Sequence, residues 1–232
     1  MDLDCPVIEE LRPEDQELVR ERMLSRRLAR NETLYVAGDR TRRTHVVASG
    51  MLKLCSRSAH GDESILALAI PGELVGEVAT LDGLPQPLDA VAAAPTEVLG
   101  IDADLLMVAL ARSPGAALAL AEQLAQRTRW ICDTALERST GEVPARLAGR
   151  LLDLADLLGR VERGAVEFDL PLAQHELGRL AGMCRESACK TMRRFKQAGV
   201  VDYRGRRLRI LRRDVLERVR CAGRMRGEVE GS

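Results

Sequence analysis

The sequence predicts an α+β fold in which a β-roll (jelly roll), one long helix and a winged helix-turn-helix follow one another. Three observations lead to this expectation. Short apolar runs alternate with turns between Leu34 and Ile101, a helical segment without internal Gly or Pro follows Gly115, and the order helix, turn, helix, β-hairpin comes last. The chain is thereby divided into residues 1–112, 113–141 and 142–232, the last ending in a short tail.

The β-rich part is indicated by the turns within it. Sequences such as "AGD", "AHGDE" and "DGLPQP" separate the apolar runs, and Gly-containing turns at this spacing are typical of short antiparallel strands. Upstream, "RPEDQELVRERMLSRRL" has helical spacing at Leu18, Met23 and Leu28. We expect one helix there, packed on the outside of the β-roll.

The long helix is predicted from Ala116 to Arg138. Its apolar residues recur at steps of three, four and seven, at Ala117, Leu120, Leu124, Ile131 and Ala135. The helix is longer than is needed to cover the core of one small domain. This length favours a dimer contact through Leu120, Leu124 and Ile131 over packing within one chain. The sequence "STGEVP" then interrupts the pattern and indicates a hinge.

The last part has the order of a winged helix-turn-helix. An amphipathic helix, "PARLAGRLLDLADLLG", is followed by a short strand, "GAVEFDLPL", and a short helix, "LAQHELGRLAG". The segment "GMCRESACKTMRRFKQAG" then forms a longer helix, and "VVDYRGRRLRILRR" forms two strands around Arg204 and Gly205. In this arrangement the second helix of the pair enters the major groove of DNA.

The charge distribution supports a nucleic-acid partner. The formal net charge is zero, yet residues 142–226 carry 20 Lys and Arg against 11 Asp and Glu, whereas residues 1–141 carry 15 against 22. A basic carboxy-terminal part joined to an acidic amino-terminal part is typical of a chain whose basic end binds nucleic acid.

The helix beginning near Arg185 has two chemically different faces. At 100° per residue, Ala188, Met192 and Phe195 fall on a core-facing stripe. The opposite flank contains the polar positions Arg185, Glu186, Cys189, Lys190, Arg193 and Gln197. Arg and Lys can donate to guanine and Glu can accept from cytosine, so this flank has the chemistry for reading bases. Contacts to the phosphate backbone are expected from Arg179, Arg193, Arg194, Arg206 and Arg207.

Other classes of protein find no support in the sequence. Cys184 and Cys189 are five residues apart, wider than a chelating pair, and His175 lies on the preceding helix. No phosphate-binding loop, dinucleotide-binding fingerprint or Gly-x-Ser-x-Gly elbow occurs. We therefore expect neither an enzyme nor a metal or cofactor protein. The chain has no long apolar run and no basic, apolar start, and its six cysteines are scattered, so we expect no membrane contact and a cytoplasmic location.

The order of parts and one motif carry a family resemblance. The stretch "LPLAQHELGRLAGMCRESACKTMRRFKQAGVVDYRGRRLRI" resembles the helix-turn-helix of the cyclic-AMP receptor protein/FNR (Crp/Fnr) family of bacterial transcription regulators. The β-rich part resembles, more loosely, the cyclic-nucleotide-binding-like domain of that family. The resemblance implies a dimer through the long helix on an inverted repeat, with RNA polymerase as a further partner. It also implies base readout by Arg185, Glu186 and Lys190, where Lys replaces the commoner Arg and gives up bidentate geometry.

The effector site departs from the nucleotide-binding members that the β-rich part resembles. Gly76 and Glu77 are kept, but Pro87 and Leu88 stand where Arg and Ser would bind the cyclic phosphate, and neither supplies a cation or a donor. The polar pair that would touch the base corresponds to Ile131 and Cys132. Cyclic AMP is therefore not expected as the effector. Cys5 stands alone, so an iron–sulfur cluster is not expected, and haem through His45 or His60 has no positive support.

Three regulatory hypotheses remain: an unknown small ligand, no ligand at all, or thiol chemistry. Cys189 lies within the DNA-facing arc beside Arg185 and Lys190, where cations favour the thiolate. Cys184 occupies the N-cap position, where Ser or Thr is usual. Oxidation of Cys189, with or without Cys184, would place a polar or negative group against DNA, whereas the plainer interpretation is a small residue that fits. The rival to a DNA-reading regulator is a ligand-binding or protein-interaction module whose helix-turn-helix no longer reads a specific sequence.

Overall fold

A computed structural model describes residues 4–40, 42–57, 63–162 and 164–229, with the backbone alone for residues 140 and 223–229. The chain divides into two compact units, residues 1–130 and 131–232.

The first unit is a β-roll with short helices at its ends. It begins with α1 (Pro6–Glu9) and α2 (Pro13–Arg22). Eight strands and one short helix follow, namely β1 (Leu24–Leu28), β2 (Thr33–Tyr35), β3 (Arg43–Ser49), β4 (Leu52–Arg57), β5 (Glu63–Ala69), β6 (Leu74–Val75), α3 (Glu77–Asp82), β7 (Asp89–Ala92) and β8 (Thr96–Asp102). The unit closes with α4 (Ala103–Arg112) and the start of α5 (Pro114–Thr140).

Two antiparallel sheets face each other in this unit. One has the strand order β1-β8-β3-β6 and the other β2-β7-β4-β5. Alternate side chains such as Val47, Val98, Leu52 and Leu54 point between the sheets and form one core. A second core, with Ile8, Val19 and residues of α4 and α5, covers the other side of the first sheet. The predicted β-roll is confirmed.

The segment upstream of the β-roll differs from the expectation. The helix α2 ends at Arg22, and Leu24–Leu28 forms strand β1, which pairs with β8 from Leu24↔Gly100 to Leu28↔Thr96. Met23 and Leu28 therefore do not belong to a helix with Leu18. Leu28 is buried in the intersheet core, because the strand alternation puts it there.

The long helix α5 is present, but its outward face differs from the predicted one. Leu120 is 3% exposed and packs in the core of its own chain, so it is corrected from a dimer face to an internal position. Leu124 is half-buried against the same cluster, and its part in a dimer contact stays a prediction. Ile131 is half-buried. The exposed stripe instead follows steps of three and four along Leu118, Ala121, Ala125, Thr128, Cys132 and Ala135.

The second unit has the elements of a winged helix-turn-helix. After the last turns of α5 come α6 (Val143–Leu158), β9 (Arg160–Glu162), β10 (Ala165–Asp169), α7 (Gln174–Leu180), α8 (Arg185–Gln197), β11 (Val201–Arg204), β12 (Arg207–Ile210) and α9 (Arg213–Val229). Its antiparallel sheet has the order β11-β12-β10-β9. Strand β9 was not predicted, and residues 213–229 form helix α9 with Leu216 fully buried, where the sequence suggested only a short tail.

In the described part of the chain, no single helix has the length and apolar content needed to span a membrane. Only α4 together with residues 114–139 of α5 meets the criterion as a pair, and these two helices are bent by 115°.

Candidate nucleic-acid interface and sensor pocket

Helix α8 presents the two faces that its sequence predicts. Ala188, Met192 and Phe195 are 1%, 3% and 8% exposed and anchor the helix to the rest of its unit. The polar residues on the other side, Arg185, Glu186, Lys190, Arg193, Arg194 and Gln197, are exposed. A cationic face with one carboxylate in the first turn is therefore free to meet a partner, while the back of the helix is fixed by packing.

The turn between α7 and α8 is a Schellman motif. Gly182 has φ +65°, the N–H of Met183 donates to the carbonyl of Gly178 (2.9 Å), and the N–H of Gly182 donates to that of Arg179 (3.3 Å). A Cβ at Gly178 would lie 3.2 Å from the Cβ of Ala188, so glycine there lets the two helices approach closely. The start of α7 is held by Glu176, whose carboxylate accepts the N–H of Ala173 (2.7 Å).

The arginines expected at phosphates differ in their surroundings. Arg193, Arg194 and Arg206 are exposed, and Arg206 lies in the turn between β11 and β12. Arg179 is half-buried on α7. Arg207 is ion-paired with Glu167, which also lies 3.3 Å from Nε of Arg209, so one carboxylate partly balances two arginines within the sheet. A phosphate would have to compete with that pair.

The cysteines of the helix-turn-helix lie in two different settings. Cys184 is exposed at the N-cap of α8, and its Sγ lies 3.2 Å from Oγ of Ser187. This hydrogen bond, and then the backbone N–H groups of Ser187 and Glu186, lower the pKa of the Cys184 thiol. Cys189 is half-buried, and its thiol donates to Oε1 of Gln174 at 3.0 Å. The structure therefore makes Cys184 the more accessible thiol.

In the sensor-like unit, Glu77 is already paired within the protein through its carboxylate. It is 1% exposed at the start of α3, and its carboxylate accepts from Nη1 of Arg127 on α5. Nη2 of Arg127 donates to the carbonyl of Leu74 (3.1 Å) and to Glu73 (3.4 Å). Burial raises the pKa of Glu77 and the Arg127 charge opposes that rise.

A second residue of α5 fastens the same segment. The side-chain amide of Gln123 accepts the N–H of Leu74 (2.8 Å) and donates to its carbonyl (3.0 Å). Because β6 is an edge strand, this amide takes the place of a neighbouring strand. Gln123 and Arg127 together hold the chain from Glu73 to Glu77 with the protein's own donors and acceptors.

The other residues predicted at the effector site differ in their burial and in their contacts. Gly76 is buried with φ +81°, and its carbonyl lies 3.4 Å from Nε2 of Gln86. Pro87 is exposed and Leu88 packs against the intersheet core. Ile131 and Cys132 belong to the second unit, where Cys132 is exposed, and their place at an effector site stays a prediction.

The described residues contain no cluster suited to a metal ion: no group of three His, Cys, Asp or Glu comes together among them. His45 lies on β3, and burial first, then the charges of Arg26 and Arg43, lower its pKa to about 4. Its Nδ1 has no hydrogen-bond partner within the described part of the chain. His60 lies outside the described residues.

Two features of the site escaped the sequence reasoning. Arg127 is fifty residues from Glu77, so only the fold could bring them together. Gln174 is exposed at the first position of α7 and touches Cys189 on the flank predicted to face DNA. A polar residue just after a helix start, where free N–H groups attract phosphate, is the signal that could have pointed to it.

Comparison with known proteins agrees with this architecture. Residues 25–113 match the family model of the cyclic nucleotide-binding domain, and residues 145–219 match that of the Crp-like helix-turn-helix domain. The "Cyclic AMP receptor protein" of Thermus thermophilus is 32% identical over 197 residues, 84% of this chain and 88% of the relative. The "CRP-like cAMP-activated global transcriptional regulator" of Mycobacterium tuberculosis is 28% identical over 177 residues, 76% and 79% of the two chains.

The fold has solved counterparts as well. The structure of FixK2 from Bradyrhizobium japonicum superposes with a TM-score of 0.75 at 21% identity, covering 85% of this chain and 96% of that one. A β-roll sensor-type domain followed by a helix-turn-helix with an exposed basic face defines a DNA-binding transcription regulator. The chain belongs to the Crp/Fnr family of these regulators.

Proposed function

We propose that this protein is a homodimeric, sequence-specific regulator that binds an inverted-repeat operator without cyclic AMP. The observation that carries the proposal is the exposed face of α8, on which Arg185, Glu186 and Lys190 stand free above a buried stripe. Arg185 and Lys190 suit guanine and Glu186 suits cytosine. The exposed Arg193, Arg194 and Arg206 add contacts to phosphates, with Arg179 and Arg207 as weaker candidates.

The dimer is proposed to form through α5. Its exposed stripe has the seven-residue repeat of a two-helix contact and consists of Leu118 and small residues. Leu118 is 61% exposed and is the one large apolar side chain of this stripe, so it would lie at the proposed contact. A two-fold dimer would present two α8 helices to two half-sites.

The proposed independence of cyclic AMP is supported by the contacts that the segment from Glu73 to Glu77 already makes within the protein. Glu77 and Glu73 already share the guanidinium of Arg127, and Gln123 holds Leu74. A ligand that displaced Arg127 would leave a buried carboxylate uncompensated, which costs about 3–5 kcal/mol. An anionic cyclic phosphate cannot replace that cation, and Pro87 and Leu88 offer it no donor.

The proposal is tested by selecting duplexes from a random pool with the purified full-length protein. We expect an enriched palindrome whose half-site preferences change at single positions in Arg185→Ala and Glu186→Ala, and binding that is the same with and without cyclic AMP. The absence of any enriched palindrome would favour the rival function, a ligand-binding or protein-interaction module that does not read a specific sequence. In the proposed role the protein acts in the cytoplasm with RNA polymerase.

A second regulatory input is proposed at the thiols. Cys184 is exposed, lies at the start of the base-reading helix and has a lowered thiol pKa. Its oxidation would add a negative group at the helix end nearest the bases read by Arg185. Cys189 is proposed to follow, because its half-buried thiol is engaged with Gln174.

A further inference from the structure

Two arginines from other helices reach the turn between α7 and α8. Nη2 of Arg138, near the end of α5, donates to the carbonyl of Arg179 at 2.9 Å. Nη1 of Arg146, on the first turns of α6, donates to the carbonyl of Gly182 at 3.0 Å. All four residues lie in the second unit. The carbonyls at the end of a helix carry partial negative charge, so guanidinium groups are suited to cap them.

Gly182 leaves room for the side chain of Arg138 because it has no Cβ. A Cβ at this position would lie 2.6 Å from Nε, 2.7 Å from Cγ and 2.9 Å from Cδ of Arg138. The positive φ of Gly182 adds a second reason against any larger residue. The stem of Arg138 therefore lies directly on the turn that sets the angle between the two helices.

The end of α5 that carries Arg138 is itself fixed. Arg150, 1% exposed on α6, donates to Thr134 (2.8 Å) and to Glu137 (2.6 Å) on α5. Arg220 on α9 donates to the same Glu137 (2.8 Å) and to Asp153 on α6 (3.0 Å). Because Glu137 precedes Arg138 directly, this network leaves the Arg138 backbone little freedom relative to α6 and α9.

The arrangement has an electrostatic cost. Burial lowers the pKa of Arg138, and the nearby charges of Arg150 and Arg146 lower it further. A solvated arginine without a partner would move away from two like charges. Arg138 instead points at the turn, where its guanidinium donates a hydrogen bond to the carbonyl of Arg179. The contact is thus a defined one, and not an incidental surface pair.

We propose that Arg138 and Arg146 are positioning residues for DNA reading. They hold the turn from Arg179 to Gly182 from α5 and α6, and so set the direction in which α8 presents Arg185, Glu186 and Lys190. Neither is proposed to touch DNA. The inference rests on the proposed function, and it places the last turns of α5 within the DNA-reading machinery.

The test compares Arg138→Met and Arg146→Met with Arg206→Met, the matched control that loses an exposed arginine of the hairpin turn. Affinities of the full-length proteins for the selected palindrome and for a scrambled duplex are measured at three salt concentrations. We expect Arg138→Met and Arg146→Met to lower the specific-to-nonspecific ratio about tenfold, the scale of one base contact. The salt slope should stay unchanged. Arg206→Met should weaken both complexes alike and reduce the slope by about 0.9.

Several outcomes distinguish positioning from other roles. A purely structural role would weaken both complexes together through loss of folded protein, and a direct phosphate contact would lower the slope; either result would overturn the proposal. Arg138→Lys, which keeps a charge and donors, should restore part of the ratio. Gly182→Ala, which displaces Arg138 from the other side, should repeat the defect.

The closing measurement does not depend on DNA. Hydrogen exchange of the amides at Gly182 and Met183 should be faster in Arg138→Met than in the wild type, since the carbonyl of Arg179 loses the hydrogen bond from Arg138. If the wild type binds no specific DNA, the proposed function fails while a faster exchange still supports the contact. Unchanged exchange would overturn the contact itself, whatever the DNA result.

Discussion

Among single side chains, Cys184 and Cys189 show how position decides reactivity. Both lie on α8 within one and a half turns, yet Cys184 is exposed and paired with the Ser187 hydroxyl, whereas Cys189 is half-buried against Gln174. The thiolate is the nucleophile that attacks peroxide, so accessibility and a lowered thiol pKa act in the same direction at Cys184. The sequence alone placed Cys189 first, because it showed the neighbouring cations and not the burial.

Peroxide treatment is therefore expected to weaken operator binding through Cys184. The oxidised sulfur adds negative charge at the end of α8, and like charges facing each other at an interface lower affinity by about tenfold or more. Operator affinity is measured on reduced and oxidised protein, with mass spectrometry to locate the modification. Cys184→Ser should abolish the effect and Cys189→Ser should keep it. An oxidised Cys184 with undiminished operator affinity would contradict the prediction.

His45 gives the first unit a dependence on acid. Its folded-state pKa of about 4 lies below the ordinary value near 6.5, so the unfolded chain binds more protons between these values. The free energy of unfolding should therefore be highest above pH 6.5 and fall as the pH is lowered towards 4, by up to about 2 kcal/mol between pH 7 and pH 5.

The check is urea unfolding of the wild type and of His45→Leu at both pH values. The variant has no titrating group at this position, so its loss between pH 7 and pH 5 should be smaller by that amount, whatever its absolute stability. An identical loss in the two proteins would mean that His45 does not titrate as described.

At the scale of elements, α5 shows what periodicity can and cannot predict. Its existence and length followed from 25 residues without Gly or Pro, from Ala116 to Thr140. Its outward face did not, because apolar residues lie on both sides of it: Leu120 is inside the core and Leu118 is 61% exposed. In α8, by contrast, one side is charged throughout, and Ala188, Met192 and Phe195 could be placed correctly.

The same difference explains the other elements. Leu18, Met23 and Leu28 share a helical spacing by coincidence, and the pairing of Leu24–Leu28 with β8, 68 to 76 residues away, overrides it. Helix α9 is polar enough to resemble a tail, and Leu216, the buried residue among the described side chains of 213–222, carries too weak a pattern. Local sequence fixes an element where its pattern is unambiguous, and distant pairing decides the rest.

The outward face of α5 leads to a test of the dimer. Ala125→Glu puts a charge in the middle of the exposed stripe, and it should convert the dimer into a monomer, because two copies would face each other there. Gln126→Glu, one residue further and off the stripe, should stay dimeric. The masses are measured by light scattering during gel filtration at micromolar concentration. A dimeric Ala125→Glu would place the contact elsewhere.

For the whole molecule, the question is whether DNA binding requires a bound ligand. Membership of the family leaves this open, since residues 25–113 match the cyclic nucleotide-binding domain while Pro87 and Leu88 stand where the resemblance implies phosphate-binding groups. The proposed independence of a ligand is supported by contacts that no sequence pattern shows, in which Arg127 pairs with Glu77 and Gln123 holds the backbone of Leu74. The buried pair also gives a stability test that is independent of DNA.

Arg127→Ala should lower the free energy of unfolding by about 3–5 kcal/mol, because it leaves Glu77 buried without a counter-charge. The double replacement Glu77→Gln with Arg127→Met removes both charges and should recover much of that loss, as replacing a buried pair by uncharged groups does elsewhere. In wild-type protein, operator affinity should be equal with and without millimolar cyclic AMP. A higher operator affinity on addition of cyclic AMP would contradict this prediction. It would show that the nucleotide displaces Arg127 from Glu77, and that this buried pair exists only in the ligand-free protein.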